Sequence, residues 1–396
     1  MDAISGLASR IIRFAFLAFE HLLPARRDQW CFCAWPGAYP HTLDNPRAVF
    51  EEVRDDPSIV KVILVRRPLR ECSPSTLEGT RIKVVHAETI RGAYHLAVSG
   101  TVLVGYGIGG MASYSKHLTT KHNIIQLWHG IPLKRIGRLF PGESVWEAET
   151  FKYAATVCSS APDRTIMAKA FAPLPEARVW QTGLPRNDLI TKAERALPAD
   201  YAAQLARLRG QLAGRRLVLY APTWRDRGPG MYEFSADEQR AFAALLAEHG
   251  AVLGIRGHSN VRSRVADSEQ PEADRIIYLN DYPDVNLILR LTDVLVTDYS
   301  SLYIDFLLLN RPILHFTYDL ESYVKERGFL YELNEALASP YFRTFGELLS
   351  QLDQSFREGI VHRDWHERSM RLFHDHTPRS ALAVVNCIKA LAGSSA

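Results

Sequence analysis

Several common features are missing from this sequence, and each absence excludes a class of structure or function. No apolar run reaches the ~20 residues that a membrane-spanning helix needs. There is no Gly-Lys-Ser/Thr phosphate loop, which argues against a nucleoside triphosphatase. No internal repeat or low-complexity tract occurs.

Cysteine is also scarce. The five cysteines are odd in number and scattered through a chain that is too long to need disulfide bonds for stability. They favour a reducing, cytosolic setting over secretion. No Cys/His group has the spacing of a zinc site, and we expect no resident metal at these positions. The cysteines are Cys31, Cys33, Cys72, Cys158 and Cys387.

The composition is that of a globular protein. Hydrophobic residues make up 47% of the 396 residues and charged residues 23%, which is enough apolar material for two domains. The net charge of +3 is mildly basic. It suits an anionic substrate or a membrane surface and does not indicate nucleic acid.

The first 27 residues predict an amphipathic helix. Ten large apolar residues share this stretch with Arg10 and Arg13, and it ends at Pro24-Ala-Arg-Arg27. The two arginines interrupt any signal-peptide core, and no cleavage site follows. Two interpretations remain: a helix lying in a membrane interface as an anchor, or a helix docked on the protein's own surface.

Short apolar runs alternate with helical patterns along the rest of the chain, which predicts parallel α/β sheets. Asn45 is expected to cap an early helix whose first residue is Pro46. A polar break near residue 196 predicts a domain boundary. The predicted domains are residues 28–195, residues 196–375 and a C-terminal helix over 376–396. The predicted strands are 29–34, 61–65, 81–85, 101–104, 123–127, 154–158, 216–220, 251–255, 275–279, 294–296 and 312–316.

A glycine-rich turn, Gly105-Tyr-Gly-Ile-Gly-Gly110, follows one of these strands. It resembles a dinucleotide fingerprint but lacks the spacing after the second glycine and the later acidic residue. We interpret it as a flexible loop facing the cleft and not as an NAD site.

The most informative stretch is 125–134, Ile-Gln-Leu-Trp-His-Gly-Ile-Pro-Leu-Lys. A short buried strand ends at Trp128-His129-Gly130, and Pro132 prevents its continuation. A histidine at the carboxyl end of such a strand points to where α/β folds bind ligands, and it can accept a proton near neutral pH. Taken alone, His129 is either a general base or a hydrogen-bonded structural residue.

Three strands of the second half end in polar or basic clusters, namely Thr223-Trp-Arg225, Arg256-Gly-His258 and Thr297-Asp-Tyr-Ser-Ser301. Strand ends of a parallel sheet share one edge, which predicts a phosphate site there. Ser300 and Ser301 would cap the next helix, and the basic residues would supply countercharge. The alternatives are plain capping by the serines and surface pairing of the arginines with aspartates such as Asp226. Asp298 is expected to orient Tyr299 or a neighbouring loop.

These motifs resemble the CDP-glycerol glycerophosphotransferase family, which includes teichoic acid primases and polymerases and capsule enzymes. The resemblance runs from Asp44-Asn-Pro-Arg47 to about residue 352. It rests on the stretches 126–134, 220–225, 284–286, 297–306, 311–312, 318–323 and 327–329.

The resemblance implies a GT-B fold, with two Rossmann-like doubly wound domains facing a cleft, the acceptor side in the N-terminal domain and the CDP donor on the C-terminal one. It implies transfer of a polyol phosphate from a CDP-polyol to a hydroxyl of a lipid-linked saccharide, with release of CMP. It also implies a peripheral enzyme at the cytoplasmic face of the cell membrane.

By position, the resemblance makes His129 the base and places His258 and Arg256 at the donor diphosphate with Ser300 and Ser301. Arg225, Thr297 and Asp298 belong to the same donor loops, and Trp128, Gly130 and Lys134 to the acceptor side. One departure is Ser259, which stands where family members often have proline after the histidine. The chain also lacks the extra N-terminal length of polymerising members, which favours a single-addition enzyme or a partner-dependent one.

Two other functions stay open at this stage. One is a GT-B glycosyltransferase that uses a nucleotide sugar, and the other is a non-catalytic, membrane-associated nucleotide-binding protein. The sequence does not fix the polyol, glycerol or ribitol, and it leaves a divalent cation open.

Overall fold

The computed structural model describes residues 2–33, 44–66, 79–140, 147–223, 225, 231–257, 275–375 and 379–393. Two compact units divide the chain. The first unit consists of Met1–His129, Ile136–Leu189 and Asp375–Ala396, and the second of Gly130–Arg135 and Ile190–His374.

The first unit is built on a seven-stranded parallel sheet in the order β3-β2-β1-β4-β5-β6-β7. Strands β2 and β4 are buried along their whole length, as is usual in parallel sheets that have both faces covered. The strands are β1 Arg26–Cys33, β2 Val60–Val65, β3 Ile82–His86, β4 Ser99–Val104, β5 Asn123–Gln126, β6 Tyr153–Cys158 and β7 Val179–Gln181. The helices are α1 Asp2–Leu22, α2 Asn45–Val53, α3 Ile90–Ala97, α4 Glu147–Thr150, α5 Ala161–Ala170 and α6 Asn187–Thr191, which begins in this unit.

The second unit has a six-stranded parallel sheet in the order β10-β9-β8-β11-β12-β13. Its strands are β8 Arg216–Tyr220, β9 Ala251–Ile255, β10 Ile276–Tyr278, β11 Val294–Thr297, β12 Ile313–Phe316 and β13 Tyr341–Phe342. Its helices are α7 Ala199–Leu212, α8 Ala236–Glu248, α9 Val285–Leu291, α10 Leu302–Leu307, α11 Leu320–Arg327, α12 Leu333–Ala336, α13 Phe345–Glu358 and α14 Arg363–Phe373.

Both sheets follow the Rossmann strand order, in which the direction of winding reverses once. The reversal lies between β1 and β4 in the first unit and between β8 and β11 in the second. Ligands of doubly wound sheets bind beyond the carboxyl ends of the strands at this point. We therefore expect functional residues in the loops after β4 and β5 in the first unit, and in the loops after β8 and β11 in the second.

The predicted alternation of strands and helices is confirmed, and most strand cores agree within one or two residues. Two edge strands, β7 and β13, were not predicted. They have three and two residues, too few to show a periodic apolar pattern.

The compact units divide at residues that differ from the predicted domain boundaries. The main segment of the second unit begins at Ile190, before the polar break. The chain returns to the first unit at Asp375. The C-terminal helix, α15 Ser380–Gly393, therefore belongs to the first unit, where it packs on α2. Helix α1 also belongs to this unit.

Helix α1 packs one face on its own unit and exposes the other. Phe16 is fully buried in the core, with Ile12 and Phe19 against it. The opposite face exposes Phe14 and Leu22 at 76% and 77%. The docked helix and the exposed apolar face thus occur together on one element.

Candidate functional site

His129 ends the segment that follows β5, and its ring has a defined orientation. Its Nδ1 lies 3.2 Å from the carbonyl oxygen of Gly105, at the carboxyl end of β4. A carbonyl oxygen only accepts, so Nδ1 carries the proton and Nε2 of the neutral ring carries the lone pair. The ring of Tyr106 stacks on the imidazole at 4.4 Å and 6°. His129 thus has the tautomer of a general base that uses Nε2.

The glycine-rich turn orients this histidine. The side chain of Gln126 donates to the carbonyl of Tyr106 at 2.9 Å and accepts from the backbone N–H of Trp128 at 2.9 Å, which ties the turn to the His129 segment. The backbone N–H groups of Ile108 and Gly109 donate to the carboxylate of Glu149 at 2.6 and 2.8 Å. Two N–H groups of this turn are therefore already bonded within the first unit.

Asn45 does not cap α2 through its side chain, contrary to the prediction. The cap position is Asp44, and no side-chain cap bond forms there. Asn45 is fully buried and its Nδ2 donates to the carbonyls of Leu127 and Trp128 at 3.2 and 2.9 Å. Its Oδ1 accepts from the backbone N–H of Arg186 at 2.9 Å. A long-range bond to the turn replaces the local one.

Arg186 completes this set of contacts. Its Nη1 donates to the carbonyl of His129 at 2.7 Å and to the carboxylate of Asp44 at 3.1 Å. The sequence did not indicate Arg186, and it indicated Asn45 only as a helix cap. Arg186 follows β7 in the run Thr182-Gly-Leu-Pro-Arg186, and the rule of polar residues at strand ends would have found it if β7 had been recognised.

The predicted acceptor-side residues have different environments. Trp128 is buried, packs edge-on against Phe171 at 5.2 Å, and has φ 54°. Positive φ in a residue of this size costs about 1–3 kcal/mol and is common at functional sites. Gly130 is buried. Lys134 is half-buried. It belongs to the second unit, where it forms a β-bridge with Phe329.

In the second unit, Arg225 is not available to a donor phosphate in the way that was predicted. It is 7% exposed, and its guanidinium donates to Asp319 at 2.7 and 3.0 Å, to Asp298 at 2.8 Å and to the carbonyl of Thr223 at 2.7 Å. These bonds use four of its five N–H donors. Burial opposes its charge, but the two carboxylates outweigh burial and raise the pKa of Arg225.

Arg225 therefore joins the loops after three neighbouring strands, β8, β11 and β12. Three tyrosine rings surround its guanidinium at 4.7 to 5.9 Å, those of Tyr299, Tyr318 and Tyr323. Such rings favour a desolvated cation. Its described carboxylate partners are Asp298 and Asp319. The predicted local aspartate, Asp226, lies outside the described part of the chain.

Thr297 and Asp298 make hydrogen bonds that fix the same loops. Thr297 is fully buried and donates to the carbonyl of Ala221 at 2.7 Å. Asp298 is 1% exposed and accepts from the N–H groups of Thr223 and Tyr299 at 2.8 and 2.6 Å. A buried carboxylate with these partners repels a phosphate and cannot bind it directly. The structure gives both residues a role in loop geometry, which the sequence had indicated for Asp298.

Ser300 and Ser301 remain half-buried at the end of β11. The side chain of Ser301 makes no cap bond to helix α10. The hydroxyl of Ser300 lies 3.4 Å from the N–H of Leu302. The predicted cap by Ser301 is wrong because this residue has helical dihedrals itself, φ −63° and ψ −4°, which turn its hydroxyl away from the free N–H groups.

Arg256 lies half-buried at the carboxyl end of β9, as predicted. Its Nη1 donates to the carbonyls of Leu279 and Tyr282 at 2.8 and 2.7 Å, so the surface pairing with an aspartate is replaced by backbone contacts. Burial lowers its pKa, and the charge of Asp284 opposes this shift. His258 and Trp224 lie outside the described residues, so their predicted roles stay predictions.

One group among the described residues has the ligand types of a metal site, Glu248, His249 and Asp353. The guanidinium of Arg357 lies 2.9 Å from Asp353 and 3.5 Å from Glu248 and already neutralises them. His249 precedes β9, so the group is at the amino edge of the sheet, opposite the ligand-binding ends. It does not indicate a catalytic metal.

Two doubly wound α/β units are the architecture of the GT-B fold, and comparison with a solved structure confirms this fold. The wall teichoic acid polymerase TagF, in a structure described as a soak with CDPG, matches with a TM-score of 0.77 at 20% identity over 98% of this chain and 94% of that chain. The chain belongs to the family of CDP-Glycerol:Poly(glycerophosphate) glycerophosphotransferases, whose model matches residues 15–388. It is therefore a member of a transferase family.

Curated relatives come from teichoic acid synthesis. The teichoic acid ribitol-phosphate polymerase TarK of Staphylococcus aureus is 28% identical over 61% of this chain and 47% of its own length. The teichoic acid ribitol-phosphate primase of Bacillus spizizenii is 23% identical over 88% of each chain. The chain spans between 36% and 64% of the length of the first seven relatives.

Proposed function

We propose that this protein transfers glycerol phosphate, or another polyol phosphate, from a CDP-polyol to a hydroxyl of a lipid-linked saccharide or polymer. The acceptor proton moves to Nε2 of His129. The acceptor oxygen forms a bond to the phosphorus that bears the polyol, the bond from this phosphorus to CMP breaks, and CMP leaves with the electron pair. Such a polymer is of the teichoic acid or capsule type.

The orientation of His129 is the observation that carries this proposal. Its Nδ1 is held by the carbonyl of Gly105, which leaves Nε2 as the proton acceptor at the carboxyl end of a parallel sheet. Phosphoryl transfer needs mainly placement and charge stabilisation, and one positioned base is a sufficient proton carrier.

We place the donor on the second unit, where Arg256 supplies positive charge at the end of β9 and Ser300 and Ser301 supply hydroxyls after β11. His258 completes this predicted set. Arg225 holds the loops between them and contributes through their geometry. The names of the relatives, a ribitol-phosphate polymerase and a ribitol-phosphate primase, support a CDP-polyol as donor.

A donor panel tests the proposal against a nucleotide-sugar transferase. Purified protein is given CDP-glycerol, CDP-ribitol, UDP-N-acetylglucosamine or GDP-mannose with a lipid-linked disaccharide acceptor, with and without EDTA. We expect CMP and a product heavier by one polyol phosphate. Release of a nucleoside diphosphate from a sugar donor would contradict the proposal, and CDP-polyol binding without turnover by wild type would support a non-catalytic role.

We also propose that the protein works at the cytoplasmic face of the membrane, bound peripherally through the outer face of α1. Among the residues that the structure describes, none of the helices combines the length and apolar character that a membrane crossing needs. The outer face is defined by Leu7, Ile11, Phe14 and Leu22, which are 51% to 77% exposed.

Basic residues flank this apolar face. Arg10 and Arg13 lie on α1 itself and are exposed. Arg13 is part of a positively charged region near His117. Burial, followed by the positive charges of Arg13, Lys116 and Lys152, lowers the pKa of His117. An apolar helix face beside positive charge fits an anionic phospholipid surface.

Vesicle sedimentation tests this location. Phosphatidylcholine vesicles with 30% phosphatidylglycerol should bind the protein, and pure phosphatidylcholine should bind it less. Ile11→Ser/Phe14→Ser should lower the affinity by at least about tenfold, because burial of one large apolar side chain contributes about 1.5–3 kcal/mol. Val324→Ser, at a 44% exposed position of the second unit, is the matched control. Equal binding by all three proteins would contradict the proposed face.

A further inference from the structure

Two side chains donate hydrogen bonds to three consecutive carbonyl groups around the His129 turn. Asn45 donates to the carbonyls of Leu127 and Trp128, and Arg186 donates to that of His129. The two side chains are also joined, since the N–H of Arg186 donates to Oδ1 of Asn45. We refer to Asn45 and Arg186 as the turn bracket.

The turn bracket holds backbone that would not adopt this conformation by itself. Trp128 has φ 54°, a left-handed conformation that large side chains rarely adopt. Asp44, whose carboxylate accepts from Arg186, has φ 50°. A strained backbone conformation persists where surrounding contacts hold it. Here the guanidinium of Arg186 contacts both strained segments, through the carbonyl of His129 next to Trp128 and through the carboxylate of Asp44.

The direction of the His129 ring depends on this backbone. The ring belongs to the residue directly after Trp128, and in the observed backbone conformation its Nδ1 lies 3.2 Å from the carbonyl oxygen of Gly105. Rotation of the three carbonyls would carry the imidazole away from Gly105 and from the stacked ring of Tyr106. The tautomer with the proton on Nδ1 would then no longer be favoured.

We propose that Asn45 and Arg186 are positioning residues for the transfer reaction, which act by holding the backbone of Leu127–His129 so that Nε2 of His129 faces the acceptor. This inference rests on the proposed function, in which His129 is the base. Neither residue touches the reacting atoms. Their effect is on turnover through His129 and not on the donor.

Gln29 provides a matched control. It is a fully buried amide of the same sheet, and its Nε2 donates to the carbonyl of His95 at 2.9 Å and to the hydroxyl of Ser99 at 3.1 Å. It lies in the first half of β1, whereas the bracket lies beyond the carboxyl ends. Gln29→Glu and Asn45→Asp thus make the same chemical change at the two ends of one sheet.

The experiment compares these two variants in the full chain. Asn45→Asp should lower kcat by about 10- to 100-fold, since displacement of a catalytic group by about 1 Å costs as much, with the KM for CDP-glycerol unchanged. Gln29→Glu should keep kcat within about threefold of the value expected from its folded fraction. Equal loss of kcat in both variants, in proportion to thermal stability, would overturn the proposal.

The side-chain ¹⁵N spectrum of His129 gives a readout that does not depend on turnover. Its signals are assigned by their absence in His129→Gln. Wild type should show a protonated Nδ1 and an unprotonated Nε2, and Asn45→Asp a mixture of the two tautomers. An unchanged tautomer in Asn45→Asp would overturn the proposal. A wild type that transfers no polyol phosphate yet shows this tautomer shift would refute the proposed function and leave the bracket's effect on His129 established.

Arg186→Ala gives a second test that does not depend on how well Asn45→Asp folds. Guanidinium ion at millimolar concentration should restore part of its kcat, because the ion replaces the group that donates to His129 and Asp44. Gln29→Glu should show no rescue. Absence of rescue in a folded Arg186→Ala protein would count against the bracket.

Discussion

The imidazole of His129 and the carbonyl of Gly105 are joined by one hydrogen bond of 3.2 Å that selects the tautomer of the ring. Gly105 follows β4 and His129 follows β5, so the bond joins the loops after two adjacent strands of one parallel sheet. The base proposed for the reaction is thus set by backbone geometry.

His129→Ala should lose about 10²–10⁴-fold in turnover, the usual contribution of a general base. Binding of CDP-glycerol, measured by calorimetry, should stay within about threefold of wild type because the donor is proposed to lie on the other unit. His249→Ala removes a half-buried histidine from the amino edge of the second sheet and should leave both quantities unchanged. Normal turnover in His129→Ala would rule it out as the base.

Arg225→Ala should destabilise the second unit by about 3–5 kcal/mol, because it leaves the carboxylates of Asp298 and Asp319 buried without their cation. Denaturant unfolding measures this free energy. Asp319→Asn in combination with Arg225→Ala should recover part of the loss, since it removes one of the stranded charges.

The same variants separate a loop-holding role from a donor-binding one. If Arg225 contacted the donor phosphate directly, Arg225→Ala would weaken CDP-glycerol binding with little change in unfolding free energy. Arg343→Ala is the matched control, because its exposed ion pair with Glu321 should contribute less than about 1 kcal/mol.

The sequence contains enough local information to predict both sheets and the place of His129. Buried strands such as β8 and β9 are continuous apolar runs with turn residues at their ends, and their bounds agree with the prediction. The position of His129 follows from the same pattern, since a strand of a parallel sheet directs its carboxyl end toward the ligand.

The partners of polar residues could not be predicted in this way. Asn45 donates to a turn more than 80 residues away, and Arg225 pairs with an aspartate 94 residues away. Local rules such as helix capping describe only neighbours along the chain. The prediction of Ser301 as a cap fails for a related reason, because its backbone dihedrals are set by how β11 and α10 pack.

Glu149→Ala should loosen the glycine-rich turn. It removes the acceptor of the Ile108 and Gly109 N–H groups, whose hydrogen exchange should become at least about tenfold faster, as expected for the loss of about 1.4 kcal/mol of local stability. Glu88→Ala is the control, because Glu88 accepts from the N–H of Ser113 in the next segment and should change exchange there instead. Unchanged exchange at Ile108 and Gly109 in Glu149→Ala would contradict the contact.

Glu20 attaches α1 to the first unit through a set of buried bonds. Its carboxylate accepts from Nε2 of His122 at 3.0 Å and from the N–H and hydroxyl of Thr119 at 3.0 and 2.7 Å. Burial acts to raise the pKa of Glu20, but the hydrogen bonds and charge of His122 and the bonds from Thr119 outweigh it, so the pKa is lowered from its ordinary 4.5.

This shift fixes the sign of a pH effect on α1. A carboxyl group whose pKa is lower in the folded state stabilises the fold above pH 4.5, and this stabilisation is lost as the pH falls through the folded-state pKa. Glu20→Gln should therefore lower the unfolding free energy by about 1.5–3 kcal/mol at pH 7, the range for hydrogen bonds to a charged group. The difference from wild type should shrink as the pH falls below 4.5.

Denaturant unfolding at several pH values between neutral and acid checks this prediction, with hydrogen exchange of α1 as the local readout. Glu176→Gln is the control, because Glu176 is exposed and lies 3.8 Å from its partner Arg164, a surface pair that contributes little. A Glu20→Gln difference that stays constant with pH would show that shape and packing hold α1 in place. A difference that disappears in acid would show that the carboxylate charge holds the helix, and with it the proposed membrane-binding face, on the first unit.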